Sequence, residues 1–242
     1  IPPASRIAAE RLYHNLDLFR RLAWPYWILG ALLSAVGMLI VVKPSDVLSR
    51  IKTVLHGLLW AGFVIQTAGL ALRWIASAHA PWSNKYESMI YIAWSVIMAG
   101  LVLSRKKALP LAAASLLTAL ILQVSHLPWM NPKLSLLPPV LKSKWLIIHV
   151  SVITSSYGFF GVGAVLAVIS LMLFIVYDRK KDCPCVPEIR SLSAVTERML
   201  ILGLVLVSIG NLFGAIWANE SWGRYWGWDP KETWTLVIVA VY

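Results

Sequence analysis

The strongest constraint on this chain is a series of long apolar runs separated by short polar segments. A helix of about 20 apolar residues is long enough to cross the hydrocarbon core of a bilayer. The runs that approach or exceed this length lie at 26–43, 54–74, 86–104, 108–124, 145–177 and 198–217, and a further run starts at 230. We therefore predict an all-α fold, a polytopic transmembrane helical bundle with about six full spans and a partial seventh.

The two ends of the chain differ from this apolar middle, 26–217. Residues 1–25 alternate apolar and charged side chains at helical spacing, which predicts an amphipathic helix on the membrane surface. The apolar residues that share its face are Ile7, Leu12, Leu16 and Phe19. At the other end, residues 235–242 provide about half of the ~20 residues that a span requires. We interpret them as the start of a final span, and the chain as a piece of a longer protein.

The formal net charge is +11, which in a soluble protein would suggest a nucleic-acid partner. Here the cations lie in short loops between apolar runs, where membrane topology and anionic lipid headgroups explain them. We therefore predict a lipid bilayer, and no nucleic acid, as partner. The cation-rich loops at 43–52, 105–107 and 179–198 indicate the inner side of a bacterial cytoplasmic membrane. The segment 218–234 then lies on the outer, periplasmic face.

The segment 221–234, SWGRYWGWDPKETW, contains four tryptophans, a tyrosine and two glycines. Anchoring at the membrane interface accounts for isolated tryptophans but does not require this density. Gly223 and Gly227 disfavour a helix and allow the backbone to approach a ligand closely. With the topology above, eleven of the 13 tryptophans lie at or beyond the outer ends of the spans. This distribution favours a large, flat, apolar ligand that stacks on the aromatic rings.

Charged residues complete the same segment and begin the next helix. Asp229 at the N-cap, Pro230 at N1 and Glu232 at N3 have the pattern of a capping box. Arg224 and Lys231 lie close to this helix N-terminus, and cations beside a helix N-terminus favour anions. A flat apolar ligand with anionic edges corresponds to haem and its propionates.

The sequence WGRYWGWDPKETW resembles the tryptophan-rich WWD signature of haem-handling proteins in cytochrome c biogenesis. Its continuation PKETW is similar to the CcsA/ResC type of system II and departs from the system I members CcmC and CcmF. Two upstream segments, HAPWSNKYE at 79–87 and KSKWLIIHVS at 142–151, resemble segments of the same family in the same order. The resemblance extends over about residues 79–234 and is loose before them.

The resemblance implies a site for haem b, as substrate or ligand, on the outer face. His149 would be an axial ligand of the haem iron, the one metal-ligating residue that we predict. The remaining haem-binding residues would be Trp222, Gly223, Arg224, Trp226, Gly227, Trp228, Asp229 and Lys231. A second external histidine, and the histidines that hold haem within the membrane, are expected beyond Tyr242.

The resemblance also implies a function. Haem would be transported or presented to the outer face and attached covalently to the CxxCH motif of an apocytochrome c. The chain would act as a cytochrome c synthase with a CcsB/ResB-like subunit or fused half. Because no general acid, base or nucleophile stands out, we predict no catalytic residue. Whether the chain is an enzyme stays open.

Two alternatives remain. The first is a haem or quinone carrier, or an electron-transfer membrane subunit, without attachment activity. An electron-transfer cytochrome would show paired histidines on facing spans, and no such pair is evident in the sequence. The second is a structural membrane subunit whose tryptophans only anchor it.

The other histidines and the cysteines have simpler interpretations. His79 is predicted to position its loop, and His56 lies close enough to the inner end of its span to reach the interface. Cys183 and Cys185 are one residue apart, a spacing that favours neither a disulfide nor a structural zinc site. Two further histidines, in the surface helix and in an outer loop, have no predicted function: His14 and His126.

Overall fold

The computed structural model of the chain describes residues 3–104, 107–134, 143–179 and 186–242. Every regular secondary-structure element within these residues is an α-helix, which confirms the predicted all-α fold. In chain order they are α1 (Ala4–Leu16), α2 (Leu18–Val42), α3 (Asp46–Ser77), α4 (Lys85–Leu103), α5 (Ala108–Val124), α6 (Lys144–Arg179), α7 (Val186–Trp222) and α8 (Pro230–Val241).

Five helical stretches in the described part of the chain are long and apolar enough to cross a membrane. They are Ser5–Val42, Asp46–Ser77, Lys85–Leu103, Lys144–Ile175 and Val186–Trp222. The remaining predicted span, 108–124, corresponds to α5, which is apolar but only 17 residues long. The predicted polytopic helical bundle is therefore confirmed, and the chain is an integral membrane protein.

The longest helices are longer than the hydrocarbon core of a bilayer is thick. α6 and α7 contain 36 and 37 residues, which is about 55 Å each at ~1.5 Å per residue, against a hydrocarbon core of about 30 Å. α7 begins well before the predicted start at 198 because residues 186–197 are helical although several of them are charged. Both helices must therefore tilt or extend beyond the membrane.

The N-terminal region is a helix followed by a break, and not one helix over residues 1–25. The break lies at Asp17, which has a left-handed φ of 40°, a conformation that aspartate tolerates better than most residues. α1 packs on α3, and Tyr13 is buried between them. Phe19, predicted for the amphipathic face, is buried in the bundle core. Ile7 stays exposed, so its contact with lipid remains a prediction.

Successive spans run in opposite directions, so every second connection lies at the same end of the bundle. One end carries the segments 78–84, 125–134 and 223–229, and we call this end the loop face. It is the end that the charge pattern predicts to be periplasmic, and that orientation remains a prediction.

Two apolar cores hold the bundle together. The first joins α1 to α5, and the second joins α4 to α7, so that α4 and α5 contribute to both. α6 and α7 pack closely because glycines of α7 face side chains of α6: Gly203 faces Phe160 and Gly210 faces Ile153. Small residues at such contacts allow two membrane helices to approach each other.

The tryptophan-rich segment is less irregular than the predicted loop 218–234. Residues 218–222 complete α7 and residues 230–234 begin α8, which leaves 223–229 without helical structure. The cysteines Cys183 and Cys185 lie outside the described residues, so their interpretation remains untested.

Candidate functional site

His149 lies in the second turn of α6, on the loop face side of the membrane span. Its ring is half-buried between α6 and α7, and Nδ1 lies 2.7 Å from the carbonyl oxygen of Gly210. Because a carbonyl oxygen only accepts hydrogen bonds, Nδ1 carries the hydrogen and Nε2 keeps its lone pair. Nε2 has no hydrogen-bond partner among the described residues. This is the tautomer in which an imidazole can bind a metal ion through Nε2 while the backbone orients the ring.

A glycine one turn further along α7 provides the space for this ring. A Cβ atom built on Gly214 would lie 2.5 Å from Cε1 and 2.6 Å from Nδ1 of His149. Distances below about 3 Å do not occur between unbonded carbon atoms without rearrangement. Gly214 therefore permits the position of His149, and Gly210 fixes its orientation.

Aromatic contacts continue from His149 towards the end of the bundle. One turn above His149, Trp145 stacks on Phe213 of α7 with ring centroids 5.9 Å apart and an interplanar angle of 26°. One turn further along α7, Trp217 meets Trp222 edge to face at 4.7 Å. The seam between α6 and α7 thus leads from the histidine to the end of α7.

The last residue of α7 and the segment that follows it are the centre of the predicted site, and we call residues 222–229 the tryptophan loop. Gly223 ends the helix with a φ of 70°, the left-handed conformation that glycine adopts without steric cost. Trp228 also has a positive φ, 57°. For a bulky residue this conformation costs on the order of 1–3 kcal/mol, so the surrounding structure must hold it.

Hydrogen bonds to two carboxylates hold the end of the tryptophan loop. Asp229 accepts from the backbone N–H of Glu232 at 2.9 Å, and Glu232 accepts from the backbone N–H of Asp229 at 3.3 Å. This confirms the predicted capping box. Glu232 also accepts from the N–H of Gly227 at 2.7 Å. The Asp229 carboxylate therefore shapes the loop, and a direct contact with haem remains a prediction.

The aromatic side chains of the tryptophan loop are largely unburied. Trp222 and Trp228 are 54% and 70% exposed, whereas Trp226 is half-buried and meets Trp228 edge to face at 5.7 Å. The indole N–H of Trp226 is buried and has no hydrogen-bond partner among the described residues. Exposed indole faces of this kind can stack on a flat ligand.

The cations of the site lie in different environments. The guanidinium of Arg224 packs over Gly227, where a Cβ atom would come within 2.8 Å of Cζ. Lys231 is exposed in the first turn of α8. Both are close to the N-terminus of α8, where the carboxylates of Asp229 and Glu232 accept hydrogen bonds from the backbone.

The predicted site residues therefore form two groups. The first is His149 with its seat on α7, and the second is the tryptophan loop with the start of α8. The described hydrogen bonds and ring contacts of His149 are with α7 and not with the loop. We did not predict Gly210 and Gly214 from the sequence. Their four-residue spacing, GNLFG at 210–214, is the small-residue pattern typical of close helix contacts and was the available signal.

His79 and His56 form hydrogen bonds with residues close to them in sequence. Nδ1 of His79 lies 3.1 Å from the carbonyl oxygen of Ala80 and 3.2 Å from the hydroxyl of Ser83, which agrees with the predicted positioning of its loop. His56 accepts a hydrogen bond from the indole N–H of Trp60 at 3.1 Å. Within the described residues, no three His, Cys, Asp or Glu side chains are arranged to hold a metal ion.

A second group of polar residues on the loop face was missed. Arg73 and Glu87 form an ion pair at 2.9 Å, and both side chains are fully buried. The guanidinium lies between the rings of Tyr13 and Tyr86, 5.4 and 4.9 Å from their centroids. We call these four residues the Arg73 cluster. A cation at the end of the apolar run 54–74 was the signal that could have revealed it.

The family model for the cytochrome C assembly protein matches residues 82–242. The chain belongs to this family. The matched region includes α4 to α8, and therefore both His149 and the tryptophan loop.

Three relatives add detail to this assignment. Protein NrfI of Wolinella succinogenes is 47% identical over 244 residues, which cover 100% of this chain and 27% of that protein. The cytochrome c biogenesis protein CcsA of Synechococcus sp. (strain WH7803) is 33% identical over 80% of this chain and 72% of its own length. CcsA of Chlamydomonas reinhardtii is 38% identical over 72% of this chain and 51% of its own length.

These matches confirm the predicted resemblance to CcsA-type cytochrome c biogenesis proteins. The chain spans about a quarter of NrfI, 27% of its length. The family match begins at 82, close to residue 79, where the resemblance became specific.

Proposed function

We propose that this member of the cytochrome c assembly family presents haem on its loop face for covalent attachment to an apocytochrome c. The observation that carries the proposal is the position of His149 against Gly210 and Gly214 of α7. The Gly210 carbonyl fixes the ring through Nδ1 at 2.7 Å, and Nε2 remains available to the iron of a haem. His149 would be an axial ligand, with haem b as the substrate.

The tryptophan loop would hold the macrocycle. Trp222 and Trp228 offer exposed rings, and the buried N–H of Trp226 offers a donor without a partner in the described chain. Arg224 and Lys231 would favour the propionates. The capping box of α8 would hold the end of the loop, and with it the strained backbone of Trp228, before haem binds, which lowers the entropy cost of binding.

Attachment requires positioning more than acid–base chemistry. Each cysteine thiol of a CxxCH motif adds across a haem vinyl group, with sulfur bonding to one carbon and hydrogen to the other. The atoms balance without an external oxidant. Holding haem and peptide together would therefore carry the rate, and ferrous haem is the form that we expect. In this scheme the chain works as part of a cytochrome c synthase with a CcsB/ResB-like subunit or fused half.

We further propose that the loop face is periplasmic in a bacterial cytoplasmic membrane. Two features support this orientation: the cation-rich connections at the opposite end of the bundle, and the tryptophans of the loop face. Haem transport across the membrane, as in system II, would deliver haem to this face.

An absorption spectrum of the full-length protein purified from membranes tests the proposal. Wild type should show a Soret band with ferrous α and β bands, and both should weaken in His149→Ala and in Trp226→Ala. Added imidazole should restore the spectrum of His149→Ala, because it replaces the missing ligand. Matched controls are His79→Ala and Trp129→Ala, which change the same residue types on the same face. A haem spectrum that is unchanged in both site variants would place haem elsewhere and refute the proposal.

A further inference from the structure

A cavity of about 330 Å³ lies on the loop face, beside the Arg73 cluster and apart from the haem site proposed above. Its walls come from the α1–α2 junction, the start of α4 and the segment after α5. The lining residues that carry the argument are Tyr13, Asp17, Arg20, Tyr86, His126 and Lys133.

The walls of this cavity are fixed by buried contacts. Arg73 donates to the hydroxyl of Tyr13 at 2.8 Å and to the carbonyl of Pro132 at 3.0 Å. Glu87 accepts from Arg73 and from the backbone N–H of Ser83 at 2.8 Å. The Arg73 cluster therefore binds α1, α3, α4 and the segment after α5 into one rigid unit, and the cavity is a built feature of the fold.

The charge at the cavity is positive. Arg20 and Lys133 are exposed cations, whereas Asp17 is the one carboxylate among the lining residues. Among the described residues, neither cation is in an ion pair, since the pair between Arg73 and Glu87 is the one that the described chain contains. The cavity therefore offers two cations to an anion from outside.

Two hydrogen-bonding groups of the wall also have no partner among the described residues. The hydroxyls of Tyr13 and Tyr86 lie 3.4 Å apart. Whichever of them donates, one O–H of the pair remains for a ligand. Nδ1 of His126 donates to the carbonyl of Leu122 at 2.7 Å, so Nε2 is an acceptor. It is buried and has no partner within the described chain. A ligand that suits this wall carries an anionic oxygen and also a hydroxyl that can donate.

The depth of the cavity in the membrane indicates the source of such a ligand. Trp24, one turn after Arg20, is 66% exposed, and Trp129, in the same segment as His126 and Lys133, is 71% exposed. Exposed tryptophans at the ends of spans lie at the level of lipid headgroups. The cations of the cavity therefore lie where the phosphates of one leaflet lie.

We propose that this cavity binds the headgroup of an anionic phospholipid of glycerol type, with the phosphate between Arg20 and Lys133 and a headgroup hydroxyl on Nε2 of His126. The site is independent of haem binding. Its occupant would hold α1 and the segment after α5 against the bundle.

The test uses the full-length protein in nanodiscs of phosphatidylcholine with phosphatidylglycerol, and native mass spectrometry of the lipids that remain bound. Arg20→Gln/Lys133→Gln should retain on the order of tenfold less phosphatidylglycerol, because each removed cation weakens the attraction to the anionic headgroup. The matched control is Arg21→Gln/Lys85→Gln, which removes two exposed cations of the same face that do not line the cavity. Equal losses in the two double variants would overturn the proposal.

Two further arms test the headgroup and its source. His126→Ala should lose the preference for phosphatidylglycerol over phosphatidic acid, which lacks the glycerol hydroxyls, and should keep the preference for both over phosphatidylcholine. An unchanged preference would overturn the assignment of His126. Free glycerol 3-phosphate should displace little of the bound lipid. Complete displacement would leave an anion site but would overturn a membrane lipid as its occupant.

Discussion

The loop face contains two groups of polar and aromatic residues that are built in opposite ways. In the Arg73 cluster, Arg73 and Glu87 are fully buried and paired with each other. In the tryptophan loop, Trp222 and Trp228 are more than half exposed, and Trp228 has a positive φ of 57°. The first group pairs its two charges with each other, whereas the second leaves aromatic surface exposed and a buried N–H without a partner among the described residues.

This difference separates the two roles that unusual residues can have in a membrane protein. A buried charge is costly unless it is fully paired, so the Arg73 cluster contributes to the structure only as a complete set. Exposed aromatic rings on a strained loop contribute little to folding, and such strain is typical of sites that bind. The two groups should therefore respond differently to substitution: changes in the Arg73 cluster should lower stability, and changes in the tryptophan loop should lower haem binding.

The largest effect should come from breaking the buried ion pair. Glu87→Ala leaves Arg73 charged and unpaired in the core, and we expect a loss of about 3–5 kcal/mol in the free energy of unfolding. Chemical denaturation of the purified protein in detergent micelles measures it. Glu220→Ala, the same change at an exposed position, should have little effect. Recovery of stability in Arg73→Met/Glu87→Leu would confirm that the unpaired charge is the cause, and a normal midpoint for Glu87→Ala would contradict the comparison.

A smaller effect is expected at the seam between α6 and α7. Gly214→Ala places a Cβ atom 2.5 Å from Cε1 of His149, and Gly203→Ala places one 2.9 Å from Cε1 of Phe160. Overpacking of this kind costs about 1–3 kcal/mol, so both variants should lose similar stability. Only Gly214→Ala displaces the imidazole, so only this variant should lose the haem spectrum. Equal spectra in the two variants would show that haem binding does not depend on the position of the His149 ring beside Gly214.

The capping box of α8 and the contact between His149 and α7 show how far the sequence could predict the structure. The spans and the capping box of Asp229 and Glu232 were predictable because apolar runs and helix caps are local patterns. The seat of His149 was not, because its Gly210 partner is 61 residues away and the pairing depends on how α6 and α7 pack. The GNLFG pattern indicated a helix contact but not which residue of α6 would meet it.

The Arg73 cluster illustrates a second limit. The cation and its partner are only 14 residues apart, but hydropathy places them at the adjacent ends of two successive spans, 54–74 and 86–104, and does not indicate that they pair. The rings of Tyr13 and Tyr86, which enclose the guanidinium, belong to α1 and α4, so the cluster depends on the packing of three helices. The same limit applies to the tryptophan loop, where glycines and tryptophans predicted irregular structure over 218–234, although helix propensity and the Asp229 cap confine it to 223–229.

The capping box should have an intermediate effect that is confined to the loop. Glu232→Ala removes the acceptor for the N–H groups of Gly227 and Asp229, and a lost cap costs about 1 kcal/mol. Hydrogen exchange followed by mass spectrometry should show faster exchange at 223–229 and unchanged exchange in α3 and α4. Glu220→Ala is the control for the loss of charge. Faster exchange throughout the bundle would mean that the loop is part of the rigid fold and would remove the contrast between the two groups.

The smallest effect on stability should come from Trp228, whose exposed ring the proposed function requires for stacking on haem. Trp228 and Trp129 are 70% and 71% exposed, so truncating either to alanine should change the free energy of unfolding by less than about 0.5 kcal/mol. Trp228→Ala should nevertheless bind less haem than Trp129→Ala, since only Trp228 belongs to the tryptophan loop. Haem content per protein and the denaturation midpoint, measured on the same samples, separate the two quantities. A fall in stability without a fall in haem content would reverse the roles assigned here, because it would make the loop a structural element and would leave haem to be held elsewhere.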